Sequence, residues 1–204
     1  FGDVGCFSFY PSKILTCGVG GMLTTNQDDV AKLARSLRHH GQGETLGEIV
    51  NFGGSDFLMD EVRAVLTRAQ LRRLGENVAH RRRVATRYDE LLAGQDEIRG
   101  PIAAPGGNPA FYKFPVLTPP VSRDAVRAGL RDRFGIETGA LYDPPVHLQP
   151  AFRQLQVAVR TFPTTEAILR RQLCLPMHAR VAVEDCQEIV EALQSVIKAV
   201  RHGS

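Results

Sequence analysis

Between Gly5 and Tyr10 the side chains alternate: Phe7 and Phe9 point one way, Cys6, Ser8 and Tyr10 the other. A two-residue period of this kind predicts a strand. Pro11 has no N–H to give to a ladder and ends it. A glycine-rich turn, Thr16-Cys17-Gly18-Val19-Gly20-Gly21, leads into a second strand-like run, Met22-Leu23-Thr24-Thr25. Residues 3–25 therefore read as two strands around a tight loop, and that loop carries Lys13.

The period then changes. Val30, Leu33, Ala34 and Leu37 recur at helical spacing and predict an amphipathic helix of about ten residues. Asn26 or Asp28 is its expected cap, Asp28 and Asp29 suit its positive end, and Gly41 is its expected stop. Residues 41–58 read as a long loop, and loops of that length are usually functional or disordered. Val62, Val65, Leu66 and Ala69 resume the helical period, and Gly75 suits either a kink or a break. Val78, Val84, Ala85, Tyr88, Leu91 and Leu92 continue it to Gly94, and a helix this long suits a bridge between two domains.

The remainder is more broken. Gly100 to Pro109 reads as a linker and Ala110 to Leu117 as a strand. Ser122 caps a helix with Val126 and Leu130 on its apolar side. Ile136 to Leu141 is a short extended run, and Asp143-Pro144-Pro145 forces an extended turn. Thr164-Thr165-Glu166 opens a short helix through Ile168 and Leu169. Leu173 to Met177 reads as a strand broken by Pro176, and Val183 to Val200 as a terminal helix with Ile189, Leu193, Val196 and Val200 inward. Strands alternating with helices make the expected class α/β.

Composition narrows the picture. The chain has 204 residues, 43% of them hydrophobic and 23% charged, as a globular protein should. No apolar run approaches the roughly 20 residues of a membrane helix. The opening Phe1-Gly2-Asp3 leads into a strand and not into a basic, apolar leader, so no signal peptide is expected. Cys6, Cys17, Cys174 and Cys186 are widely spaced, with no C-x-x-C pair, and read as reduced thiols of a cytoplasmic protein and not as a zinc site. The net charge is +3. Arg72, Arg73, Arg81, Arg82, Arg83 and Arg87 lie on one predicted helix between apolar positions, without interleaved aromatics, so nucleic-acid binding is not expected.

The candidate chemistry is Lys13. Taken alone it is either a surface charge or a nucleophile; the residues around it decide. Ser8-Phe9-Tyr10-Pro11-Ser12-Lys13, then Gly18-Val19-Gly20-Gly21 and the Thr24-Thr25-Asn26 step into a helix, resemble the lysine segment of the DegT/DnrJ/EryC1/StrS family. Further segments follow in that family's order. They are Ser36 to Gly41, Met59 to Leu74, Arg81 to Leu92, Tyr112-Lys113-Phe114-Pro115-Val116, Pro145 to Pro150 and Leu175-Pro176-Met177-His178. The resemblance runs over nearly the whole chain.

The resemblance implies a fold-type I enzyme that uses pyridoxal 5'-phosphate (PLP), most often to aminate a nucleotide-linked keto-sugar with glutamate or glutamine as donor. It implies that Lys13 forms a Schiff base with the cofactor and that Ser8 donates to the cofactor phosphate, the alternative for Ser8 being a bond to backbone. It places Tyr142 and His147 at the border of the sugar-nucleotide pocket. Tyr10 and His40 are candidate substrate contacts, although Tyr10 also suits packing, and the helix dipole alone favours a histidine where His39 and His40 stand. His178 reads as structural.

In the resembled family the 41–58 loop crosses a homodimer interface and reaches the partner's cofactor phosphate with an amide and a guanidinium. Here Asp56 and Leu58 stand at those two positions, so Ser55 or Asn51 is the expected substitute. Family members are about twice as long, with the lysine near mid-chain. The acid, the aromatic and the helix N-terminus that grip PLP precede it there. The chain is therefore expected to be the C-terminal half: residues 1–93 end the large cofactor-binding domain and 94–204 form the small α/β domain. Alone it should be inactive. Two further readings stay open, an aminotransferase of cyclitol ketones and a sensor or scaffold without turnover.

Overall fold

The computed structural model describes residues 2–45, 47–154 and 161–203, so the Phe1 of the opening tripeptide and Leu46 of the long loop lie outside the described residues. The chain is mixed α/β and divides into two compact units, Phe1–Glu76 and Asn77–Ser204.

The first unit opens with β1 (Val4–Ser8), paired antiparallel to β2 (Gly21–Thr25), with Val4 opposite Thr25 and Ser8 opposite Gly21. Helix α1 (Asp28–Leu37) follows. Its cap position is Gln27, not Asn26 or Asp28, because the Thr25 hydroxyl takes the Gln27 N–H at 3.1 Å and fixes the entry there. The helix ends at Leu37. Gly41 N returns to Ser36 O at 2.8 Å, with His40 and Gly41 both left-handed (φ 57° and 78°).

The 41–58 segment is more ordered than a loop expectation suggests. Gln42 pairs with Ile49, and His39 with Asp56. Ser55 N and Phe57 N donate to Leu37 O and Arg38 O, both at 2.9 Å, so the segment's return limb closes the orphan carbonyls at the end of α1. Helix α2 (Glu61–Arg72) is capped by Asp60, whose carboxylate accepts from Arg63 N at 2.8 Å. The break before α3 (Leu74–Leu92) falls at Arg73, whose N–H bonds back to Gln70 O, and Gly75 lies inside the helix. Among the described hydrophobic residues of this unit only Phe9 and Cys17 are buried. Phe52, Phe57, Val62 and Val65 face solvent, Phe52 completely.

The second unit has a continuous core. Val84, Tyr88 and Leu92 of α3 meet Phe114 and Val116 of β3 (Phe114–Leu117), Leu173 and Leu175 of β4 (Gln172–Leu175), Val126 and Leu130 of α4 (Arg123–Phe134), and Leu193 and Val196 of α7 (Asp185–His202). Helices α4 and α7 approach so closely that a Cβ on Gly129 would lie 2.6 Å from Val196. Ser122 caps α4 through Ala125 N at 3.2 Å, as expected, and Gly135 ends it in the left-handed region. Helix α6 (Pro163–Arg171) starts one residue before Thr164, with Pro163 in the first turn, where a missing N–H costs nothing. A 3₁₀ turn (Val146–Leu148) and the short α5 (Pro150–Gln154) follow the double proline, and Asp143–Pro144 is cis.

Strands β3 and β4 are antiparallel, with Phe114 opposite Leu175 and Pro115 opposite Cys174. Cys174 exchanges both of its backbone bonds with Gly139, at 2.8 and 3.1 Å. Its polar groups thus point away from β3, and Pro115 sits where no N–H is required. The extended run expected from Ile136 to Leu141 reduces to that single bridge at Gly139. The strand expected from Ala110 shortens to Phe114. Arg81 takes the carbonyls of Phe111 (3.1 Å), Tyr112 (3.2 Å) and Met177 (2.8 Å), so residues 111 and 112 give their oxygens to a side chain instead of a ladder. The arginine run is therefore partly internal: Arg81 is buried, and Arg82 bonds Asn108 O and Pro109 O.

Candidate active site

Lys13 stands at the end of a tight turn. Its N–H donates to Tyr10 O at 2.9 Å, with Pro11 at the position whose φ a proline pre-sets. The turn is pinned from behind. Phe9 N donates to Gly20 O at 2.9 Å, and Phe9 O accepts Cys17 N at 3.2 Å and the Thr16 hydroxyl at 2.9 Å. Gly18 N donates to that hydroxyl at 3.1 Å. Met59, just ahead of α2, packs onto the same turn, where a Cβ on Gly20 would lie 2.5 Å from its terminal carbon. Lys13 is half-buried on this frame.

Ser8 and Tyr10 share the hairpin end. The Ser8 hydroxyl accepts Tyr10 N at 3.4 Å, which uses a lone pair and leaves its proton to donate elsewhere. The Tyr10 ring is exposed, so its use in packing is small within this unit.

His40, Asn51 and Ser55 gather around the end of α1. His40 N donates to Ser55 O at 3.1 Å, and Asn51 Nδ2 donates to the Ser36 hydroxyl at 2.9 Å. The His39 and His40 rings lie 5.6 Å apart. Asp56 Oδ1 accepts Leu58 N at 3.3 Å. A cleft of about 720 Å³ opens here, lined by Arg35, Arg38, His39, Asn51 and Leu58 among others.

Tyr142 and His147 lie in the second unit. Tyr142 is 76% exposed. His147 Nε2 and Glu166 Oε1 share a hydrogen bond of 3.1 Å, and the His147 ring meets Phe162 edge-on at 4.8 Å. Glu166 also accepts Phe162 N at 3.2 Å. The His147 and Phe162 bonds hold the Glu166 carboxyl below its ordinary range. His178 accepts Arg180 N at 3.3 Å through Nδ1, a local turn bond.

Sequence reasoning missed Arg123. Its guanidinium is buried and serves three segments: Asp124 Oδ1 at 2.9 and 3.0 Å, Leu169 O at 2.8 Å, and the Asp143 carboxylate. A signal was present, since Arg123 shares the face of Val126 and Leu130, a charge on an apolar stripe.

This order of a lysine hairpin, a helix, a returning segment, two helices and a second α/β unit is found in part of solved aminotransferases. DesV of Streptomyces venezuelae, solved in complex with a ketimine intermediate, superposes with a TM-score of 0.87 at 31% identity, over 96% of this chain and 52% of that one. The sequence pattern of the DegT/DnrJ/EryC1/StrS aminotransferase family matches residues 1–194. The chain belongs to that family.

Two curated relatives are each 35% identical. One is the dTDP-3-amino-3,4,6-trideoxy-alpha-D-glucose transaminase of Micromonospora megalomicea, matched over 96% of this chain and 52% of its own. The other is the UDP-N-acetyl-3-dehydro-alpha-D-glucosamine 3-aminotransferase of Acidithiobacillus ferrooxidans, matched over 100% and 52%. The chain spans about half the length of the curated relatives it matches. Among the described residues no helix is long and apolar enough to cross a membrane.

Proposed function

We propose that the chain is the lysine-bearing half of a PLP-dependent aminotransferase that moves an amino group from glutamate or glutamine to a keto-sugar nucleotide. The observation that carries this reading is Lys13 itself, half-buried on a turn fixed by backbone bonds among Phe9, Tyr10, Cys17 and Gly20, just beyond the strand ends. A lysine on a fixed turn loses less entropy when it reacts than one on a floppy loop.

The residues fit the cofactor in part. Lys13 offers an amine and Ser8 a hydroxyl proton from the same hairpin end, and these two would hold it. Bound PLP supplies a carbonyl that exchanges amines and a ring that accepts electrons. Lys13 Nζ then serves as the base that moves a proton at the substrate carbon. Tyr10 and His40 in the first unit are candidate substrate contacts, as are Tyr142 and His147 in the second.

In a homodimer the 41–58 segment reaches the partner's site. Asp56 brings a negative charge and Leu58 no donor, so the phosphate contact falls to Ser55 or Asn51. Ser55 is the better placed: its backbone is tied at both ends, to Leu37 O and His40 N, whereas the Asn51 amide is already engaged by Ser36. The grip on the rest of the cofactor belongs to sequence outside residues 1–204, and the 204-residue chain alone gives no turnover. Residues 1–93 act as the end of the large domain and 94–204 as the small domain. The four unpaired cysteines suit the reducing cytoplasm.

The test is borohydride reduction of the full-length polypeptide carrying this sequence in the presence of PLP, followed by peptide mapping. A pyridoxyl group on Lys13 supports the reading. No adduct, or one confined to other lysines, overturns it.

A further inference from the structure

Arg123 sits at the crossing of a closed circuit of contacts. From its guanidinium the path runs to the Asp143 carboxylate, and along the chain to Pro144, whose carbonyl accepts Gln149 Nε2 at 2.6 Å. Gln149 closes the 3₁₀ turn that carries His147, with Gln149 N on Val146 O at 3.1 Å. His147 reaches Glu166 of α6 at 3.1 Å, and one turn further along α6 the Leu169 carbonyl returns to Arg123 at 2.8 Å. Arg123 is the buried charge of this ring, with 8% of its side chain exposed, and four of its five N–H groups are accounted for by Asp124, Asp143 and Leu169.

The ring adjoins an exposed aromatic. Tyr142, next to Asp143, is 76% exposed, whereas Pro145, three residues on, is buried. An exposed aromatic next to an anchored residue gives up less entropy when it makes a contact. A guanidinium suits the task because its fork serves several acceptors at fixed angles; a lysine ammonium at the same place is a point charge on a flexible stem.

We propose that Arg123 is a positioning residue for nucleotide-sugar binding: it touches no substrate and sets Tyr142 and His147 at the pocket border. The inference rests on the function proposed above. Arg123→Lys keeps the charge and loses the fork. Asp143→Asn removes the charge from the partly exposed end of the same contact and puts less of the fold at risk.

The experiment uses the full-length protein with dTDP-glucose and UDP-N-acetylglucosamine as probes. Titration calorimetry gives their dissociation constants, the donor half-reaction is followed with glutamate alone, and thermal melting is recorded for each variant. The expected result is binding weakened about tenfold or more in both variants, as misplaced contact groups produce. The glutamate half-reaction and the Lys13 adduct should stay at wild-type level, and Asp143→Asn should keep its melting temperature. Unchanged probe binding with a lowered melting temperature would make Arg123 structural only and overturn the inference while the aminotransferase reading stands. A wild-type protein that takes no adduct at Lys13 and binds neither probe would overturn both.

Discussion

Gly54 lies directly against the backbone of Gly41: a Cβ added to Gly54 would stand 2.1 Å from Gly41 N, and one added to Gly41 would stand 2.0 Å from Asn51 O. The two glycines let the outgoing and returning limbs of the 41–58 segment touch main chain to main chain. That contact places Ser55 over the end of α1, where its N–H closes Leu37 O. Gly54→Ala should therefore force the limbs apart at a cost of about 1–3 kcal/mol. Urea unfolding is the check, and an alanine variant as stable as wild type would mean that the limbs are not in contact in solution.

If the proposed role of Lys13 holds, Lys13→Ala should abolish the borohydride-trapped adduct and reduce amination by several orders of magnitude, because one amine serves as both nucleophile and base. Thermal stability should change little, since Lys13 is half-buried and the bond that closes its turn uses backbone, Lys13 N to Tyr10 O. Amination at wild-type rate by the alanine variant would remove Lys13 from the chemistry.

The Glu166 carboxyl is held below its ordinary value of 4.5, first by the His147 bond and then by the Phe162 N–H. A carboxylate depressed in the folded state stabilises the fold above its unfolded value, and that stability is lost as pH falls through the folded value. Glu166→Gln should thus flatten the stability curve below the ordinary value of 4.5 while leaving an offset above it. Equilibrium unfolding across that range reads the slope directly; parallel curves for the two proteins would place the acid sensitivity elsewhere.

Arg81→Met should leave the carbonyls of Phe111, Tyr112 and Met177 without their shared donor, at a cost of about 1–3 kcal/mol for the unpaired groups alone. Burial already pushes the guanidinium down from its ordinary range, so its retention in the core depends on those three acceptors. A methionine variant that melts with wild type would show that water replaces the arginine.

What could be read in advance was whatever depends on neighbours in sequence. The helical period at Val30–Leu37 and at Val84–Leu92 and the Ser122 cap are local effects, and each is found, whereas β1 ends at Ser8, before the stop expected at Pro11. The misses are long-range. The strand expected from Ala110 lost its first residues to a donor on α3, about 30 positions away. The bridges within 41–58 depend on Gly54 meeting Gly41, which no period reports. The same holds for the candidate site. Lys13 and Ser8 were legible because chemistry and turn share one short stretch, whereas Arg123 acts on Asp143 and Leu169, 20 and 46 residues away.

Pro115 in β3 acts as a proofreader of strand pairing. In the native register it faces Cys174, whose backbone groups are turned toward Gly139. A slip by one residue would set it against Leu173 or Leu175, whose polar groups face β3, and one carbonyl there would find no hydrogen to accept. The same slip would put Leu173 and Leu175 on the face that Gln172 and Cys174 occupy, away from the partners they pack against. A misaligned β3–β4 pair is thus penalised twice at a single position.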